Sequence, residues 1–186
     1  MTEVPAGLLL RRSIPEDYAA LLGWVRDADE LLLFSGPALA WPLTQGQLDA
    51  LGSIPGRTDW TLVQESAPEA AEGEEQGEGE NAGEAAGAAA RPETAIGHVD
   101  LIRDGDNAHL ARVILAPHVR SRGLARPLIL LALHTARALD ATRATLNVVA
   151  GNERALRVYR SVGFAVVSAP ELPAGVLRME RTLDRS

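Results

Sequence analysis

Apolar positions along this chain switch between two periods, and the switches lay out its elements. The short apolar run in "GLLLRRSI" predicts a first strand. Pro15 then opens a helix, with acids in its first turn and Tyr18, Leu21, Leu22 and Val25 at helical spacing. "FSGPALAWPLT" (34–44) is punctuated by glycine and proline and predicts a loop, after which Thr44 can cap a short helix in "QGQLDALGSI". "DWTLVQE" alternates as a strand, as does "AIGHVDLIRD". "GDN" turns the chain into the strand "AHLARVILAP", so these two strands form an antiparallel hairpin. A long helix over 124–139 follows, then a strand "RATLNVVA", a helix "ERALRVYRSVG" and two closing strands, "FAVVSAP" and "GVLRMERTL". The order β-α-α-β-β-β-α-β-α-β-β predicts an α/β chain of the α+β-like kind: a mixed, mostly antiparallel central sheet with helices on both faces.

Between the strands at 59–65 and 95–104 the pattern stops. Residues 66–94 hold eight glutamates and one arginine, no aromatic residue and no apolar period. Such a segment cannot offset its ordering entropy and reads as a disordered acidic insertion in a surface loop. Loop closure costs grow only logarithmically with length, so the fold tolerates it. An acidic docking arm and an inert spacer both fit it.

Composition changes the picture in three places. The chain's net charge of −7 is the charge of that insertion (1 − 8 = −7), which leaves 17 arginines against 17 acids elsewhere. The folded part therefore exerts no pull on a polyanion, and a nucleic-acid partner is not expected. There is no cysteine, which excludes a disulfide framework and a thiolate metal site, and the four histidines lack ligand-like spacing, so no metal is expected. No apolar stretch approaches the ~20 residues of a membrane span, so a cytoplasmic protein without membrane attachment is expected. At 186 residues the whole chain, 1–186, reads as a single domain.

Candidate chemistry gathers at the turn "RSRGLA" (120–125), between the strand ending near Pro117 and the helix from 124. Helix N-termini present unpaired N–H groups and the positive end of the macrodipole, and a glycine there lets an anion approach the backbone. Arg120 and Arg122 would add charge-assisted contacts to a pyrophosphate. The stretch is not a nucleotide P-loop, because the chain contains no lysine, and no G-x-G-x-x-G marks a dinucleotide site. Downstream, in "NVVAGNERALRVYRSVGF", Asn152 is placed to cap a helix that carries Ala155, Leu156 and Tyr159 on one face. Gly163 ends that helix and Phe164 opens the next strand.

Together Arg120-x-x-Gly123-x-Ala125 and Asn152-x-x-Ala155-x-x-x-Tyr159-x-x-x-Gly163-Phe164, in this order of elements, resemble the GNAT (GCN5-related) N-acetyltransferase superfamily, a small bacterial branch of it. The resemblance spans residues 8–184 apart from the insertion. It implies that acetyl-CoA is the cosubstrate. The main chain of Val113, Ile114 and Leu115 would hold the pantetheine, and N–H groups from Arg122 through Gly123, Leu124 and Ala125 to Arg126 would cradle the pyrophosphate. Asn152 would reach the pantetheine region, and the Tyr159 hydroxyl would protonate the departing thiolate. Departures are visible too: Ala125 stands where a second glycine is usual, and Arg126-Pro127 lies inside the helix start.

On the acceptor side the expectations are looser. His98 and Asp100 share one strand face, and His109 begins the signature strand, but none is singled out as the general base. Phe34 and Trp41, two of seven aromatics, sit in the predicted loop and are taken with Asp100 and Arg112 as candidate pocket residues. Arg112 can favour an acidic substrate group or sit in an ion pair. The expected activity is direct acetyl transfer to a primary amine of a small molecule or a protein N-terminus, by a monomer or homodimer. A catalytically idle acyl-CoA-binding sensor or interaction module is the alternative.

Overall fold

The computed structural model describes residues 4–65 and 93–184. Seven strands form one sheet in the order β1-β2-β3-β4-β5-β7-β6. They are β1 (Leu8–Arg12), β2 (Arg57–Glu65), β3 (Glu93–Asp104), β4 (Asn107–Leu115), β5 (Arg143–Val149), β6 (Ala165–Val167) and β7 (Val176–Thr182). All neighbours are antiparallel except β4 and β5. That parallel pair requires a crossover, supplied by helix α4 (Ala125–Ala138). The mixed, mostly antiparallel sheet expected from the central hairpin is the one observed.

Four more helices complete the fold: α1 (Pro15–Trp24), α2 (Ala28–Ser35), α3 (Gln45–Ala50) and α5 (Glu153–Ser161). Helix α1 packs on β3 and α2 on β4, while α4 crosses β1, β3 and β4 with α5 beside it. Leu128, Ile129, Ala132, Leu133 and Ala136 form the buried stripe of α4, at the spacing of a core-facing helix. They meet Leu62, Ile96, Leu101, Leu110, Leu146 and Met179 from the strands. No helix among the described residues is long and apolar enough to cross a membrane.

Two expectations need correction. Helix α2 occupies residues that the apolar pattern left unassigned, so the predicted loop begins at Gly36 rather than Phe34. The helix is started by Asp27, whose side chain accepts from the Glu30 N–H at 2.8 Å. Second, Glu93 and Thr94 belong to β3, opposite Glu65 and Gln64, so the acidic insertion does not extend to 94. Its residues 66–92 lie outside the described residues.

The feature that shapes the site is a bulge in β4. His98 faces Ile114 and Asp100 faces Ala111, so Arg112 and Val113 together oppose Val99. The extra residue bends the strand and increases its twist, and Arg112 takes the left-handed φ of 50°. Pairing between β4 and β5 runs only from Asn107↔Arg143 to Leu110↔Leu146. After Leu110 the two strands part, and among the described residues no strand pairs with the outer edge of Ala111–Leu115.

A second bulge, in β3, puts Ile96 between the Leu62↔Gly97 and Val63↔Ala95 pairs. A Cβ on Gly97 would stand 2.9 Å from Leu115 Cδ2, 3.2 Å from Ile114 O and 3.3 Å from Leu62 Cβ. Gly97→Ala should therefore lower stability by about 1–3 kcal/mol through overpacking. Urea unfolding checks this, and an unchanged midpoint would show that β3 and β4 separate there without cost.

Candidate active site

The opening between β4 and β5 runs as a trench with a basic end, a middle and an apolar end. The middle is a cleft of about 220 Å³ walled by Val113, Ile114 and Leu115 of β4, Ile129 of α4, and Asn152, Ala155 and Tyr159 at α5. Towards the start of α4 it continues into a hollow of about 400 Å³ bordered by Gly123, Leu124, Ala125 and Arg126, with Arg154 and Arg157 from α5 opposite. A narrower hollow shares Val113, Ile114 and Asn152 with the middle cleft and leads past Phe34 into a cavity of about 290 Å³ at the other end.

At the basic end, no side chain caps helix α4 and no acid lies in its first turn. Its N-terminal dipole is thus uncompensated from within the helix. Gly123 takes φ of 80°, a conformation that side chains rarely adopt. Of the two arginines expected in this loop, Arg122 is exposed and borders neither hollow. Arg120 is turned inward: Nε donates to Leu115 O at 2.9 Å, Nη1 to Glu30 at 2.9 Å and Nη2 to the Trp24 carbonyl at 2.7 Å. Its guanidinium fastens the end of β4 to α1 and α2, while the residue also borders the middle cleft and the narrower hollow beside it. The Glu30 carboxyl, held by Arg26 and Arg120, is pulled down to about 2 despite partial burial. Arg154 and Arg157, not anticipated as site residues, border the hollow at the start of α4 from the opposite side. Their spacing of three on a helix opened by Asn152 was the available signal.

In the middle, the Asn152 side chain accepts from the Ala155 N–H at 3.1 Å, which caps α5. Two turns on, Tyr159 is buried edge-on against Phe164, with ring centroids 6.0 Å apart. Burial pushes its hydroxyl up to about 12, so it keeps its proton at any physiological pH. The hydroxyl makes no hydrogen bond to a described residue, and the ring borders the cleft.

At the apolar end the four expected pocket residues separate. Phe34 and Arg112 line the cavity. Trp41 does not: it is 47% exposed, on the loop before α3 with a cis bond to Pro42, and borders none of these cavities. Asp100 is 0% exposed and lies beneath the cavity rather than in it. Arg57 grips both of its oxygens, through Nε at 2.8 Å and Nη2 at 2.9 Å; Arg112 Nε donates to one of them, and His98 Nε2 lies 3.0 Å from the other. Burial alone would raise the Asp100 pKa, but the His98 bond and the two guanidinium groups outweigh it and hold the carboxyl well below the usual range. Asp100 and His98 are thereby sealed off, and neither can take a proton from a substrate. His109 does line the cavity, with Nδ1 3.0 Å from Thr145 Oγ1. Burial, then the charges of Arg178 and Arg112, lower its pKa to about 4.

A V between a bulged strand and its parallel neighbour, with an uncapped helix at one end and a buried tyrosine at the middle, matches known proteins. The family model of the acetyltransferase (GNAT) family matches residues 57–164, more than half of the chain. The chain belongs to the GNAT acetyltransferase family. Among solved structures, a domain from Methanocaldococcus jannaschii superposes with a TM-score of 0.70 at 14% identity, covering 95% of this chain and 98% of that one. The spermidine N-acetyltransferase from Vibrio cholerae in complex with CoA and spermine superposes with a TM-score of 0.65 at 19% identity, covering 96% of each. Membership makes this GNAT protein an acyl-CoA-dependent N-acetyltransferase. Among its described residues no cluster of His, Cys, Asp and Glu suits a metal ion.

His109 also gives this acetyltransferase a measurable acid sensitivity. A histidine whose folded pKa lies below its unfolded value binds its proton less readily in the folded chain, so acid favours unfolding. Stability should fall as pH drops from about 6.5 to about 4, above the window in which Glu30 protonates. Urea midpoints for the wild type and His109→Gln at pH 7.5, 5.5 and 4.5 test this. The variant should lose much of that slope; equal slopes would assign it to another group.

Proposed function

We propose that the protein moves the acetyl group of acetyl-CoA directly to a primary amine of a small molecule. The observation that carries this reading is the continuity of the trench, which joins the uncapped start of α4, the buried Tyr159 and an apolar cavity along one open strand edge.

The residues present fit the cosubstrate. The main chain of Val113, Ile114 and Leu115 offers a strand edge to the pantetheine, whose amides can pair with it as a missing strand would. The N–H groups from Arg122 to Arg126 and the α4 dipole suit the pyrophosphate, with Arg154 and Arg157 adding charge opposite. Acetyl-CoA supplies the activated thioester. Tyr159, kept protonated by its burial, is the donor for the sulfur as it leaves. No cysteine exists in the chain to carry an acyl group, which favours direct attack by the amine.

Base catalysis has little to work with here. A group with a pKa of about 4, as His109 has, is poorly matched to proton abstraction near neutral pH, and Asp100 is sealed. The acceptor is therefore taken from solution as its free amine. An idle acyl-CoA-binding module would have no need of an unpartnered, protonated hydroxyl at the middle of the trench.

Tyr159→Phe should lower kcat by about 10²–10⁴-fold, the range for loss of a general acid, while acetyl-CoA affinity changes little. Steady-state kinetics beside calorimetric titration separate the two, and unaltered kcat would remove Tyr159 from the chemistry. A Cβ at Gly123 would meet no atom within 4 Å, but Gly123→Val forces a side chain into φ of 80°. It should weaken acetyl-CoA binding at least tenfold with the fold retained, and unchanged affinity would place the phosphates elsewhere.

A further inference from the structure

We propose that the acceptor is an apolar amino acid, whose amine is acetylated while its carboxylate is read by Arg112. The proposal rests on the acetyltransferase reading and names the acceptor class for the same site.

The acceptor cavity has apolar walls, among them Leu33, Phe34, Leu110 and Val148, and no aspartate or glutamate among the described residues that line it. Its charged wall residue is Arg112, which is only 8% exposed. That guanidinium is half paired. Arg57 already holds both oxygens of Asp100, and Arg112 reaches one of them through Nε alone. Its Nη2 is buried with no partner. A buried guanidinium nitrogen without an acceptor is costly, because desolvation is not offset by a hydrogen bond. A carboxylate suits this fork in both charge and shape.

The surrounding acids are committed to other cations. Glu30 is taken by Arg26 and Arg120, Glu171 by Arg178, and Asp59 by Tyr18 and Arg57. A polycation such as spermidine would find no counter-ion in the cavity. Arg178 strengthens the bias, since it donates to Asn147 Oδ1 in the cavity wall at 3.1 Å. Spacing agrees as well. Arg112 precedes Ile114 by two residues across the bulge, so the two stand at most roughly 7 Å apart along β4. A carboxylate at Arg112 therefore leaves an α-amine within reach of a thioester held along Val113–Leu115. A protein N-terminus has no carboxylate at that distance from its amine.

The test compares L-leucine, L-methionine and L-phenylalanine with their carboxamides and with spermidine, using the full chain and acetyl-CoA. The amide's amine is the weaker base and is more available near neutral pH, so intrinsic basicity does not favour the acid. At least one free acid should exceed its amide by tenfold or more in kcat/KM, with spermidine poorer than either. In Arg112→Gln that gap should close through KM while acetyl-CoA affinity, read by calorimetry, is unchanged. Because Arg112 also neutralises Asp100, the wild-type comparison decides the matter by itself if the variant does not fold. With acetyl-CoA bound, amides or spermidine equal to the acids, or no acid acetylated, overturns the proposal and leaves the cosubstrate site standing. Failure of acetyl-CoA to bind at all overturns the reading beneath it.

Discussion

Asp100 lies fully buried between two guanidinium groups, and the bend in β4 depends on it. A carboxylate removed from water is unfavourable by several kcal/mol unless charges and hydrogen bonds replace its hydration. Arg57, Arg112 and His98 do so from two adjacent strands and from within β3 itself. For Arg112 to reach inward it must stand on an extra residue with φ of 50°. Such a backbone conformation costs on the order of 1–3 kcal/mol in isolation, so the ion pair and the bulge maintain each other. The bulge in turn carries β4 away from β5 after Leu110. Without that divergence the sheet would close, and the strand edge that the cosubstrate needs would be paired with β5.

Arg120 fastens the far end of the same strand. Its three donor contacts tie Leu115 to the Trp24 carbonyl at the end of α1 and to Glu30 in α2. Helix α2 is thereby set over β4, with Phe34 in the wall between the middle cleft and the acceptor cavity. One strand thus has its bend fixed by Asp100 from below and its end fixed by Arg120 from the side. The substrate-side wall and the exposed strand edge therefore share one strand, held at its end by Arg120 and braced at its bend by Arg57 and Arg112 around Asp100.

Which parts of this were legible in the sequence follows from where the information lies. The β3–β4 hairpin, α4 and α5 have local signals: a turn between alternating runs, a long apolar stripe, and a cap at Asn152. The turn at Gly123 and the helix carrying Tyr159 are readable as elements because their spacing within each segment is local, and both border the trench. Helix α2 escapes because "ADELLLFS" presents four apolar residues in a row, which has no helical period, and only Asp27 and Glu30 mark its start. The clamp made by Arg120 is not legible, because its partners at Trp24 and Glu30 lie some ninety residues away. His98 and Asp100 were correctly set on one face of their strand. Nothing in their alternation tells that the face is buried, since that depends on Arg57 arriving from β2. Trp41 shows the same limit in reverse: an aromatic in a loop gives no direction, and here it stays outside the site.

The chain contains arginine as its only strong cation, so one residue type makes both the structural clamps and the basic walls of the trench. What separates these uses is how far the chain itself satisfies each guanidinium. Arg57 has a bidentate carboxylate and Arg120 has three acceptors, and both are structural. Arg154 and Arg157 stand beside a helix end that carries no acid in its first turn. Arg112 falls between the classes, with one nitrogen committed to Asp100 and another buried without a partner at the wall of an apolar cavity. A guanidinium that was purely structural would be free to turn its planar fork fully onto Asp100, but Arg57 already occupies that position. The crowding at Asp100 therefore leaves Arg112 incompletely paired, and the proposed reading of an acceptor carboxylate rests on that deficit.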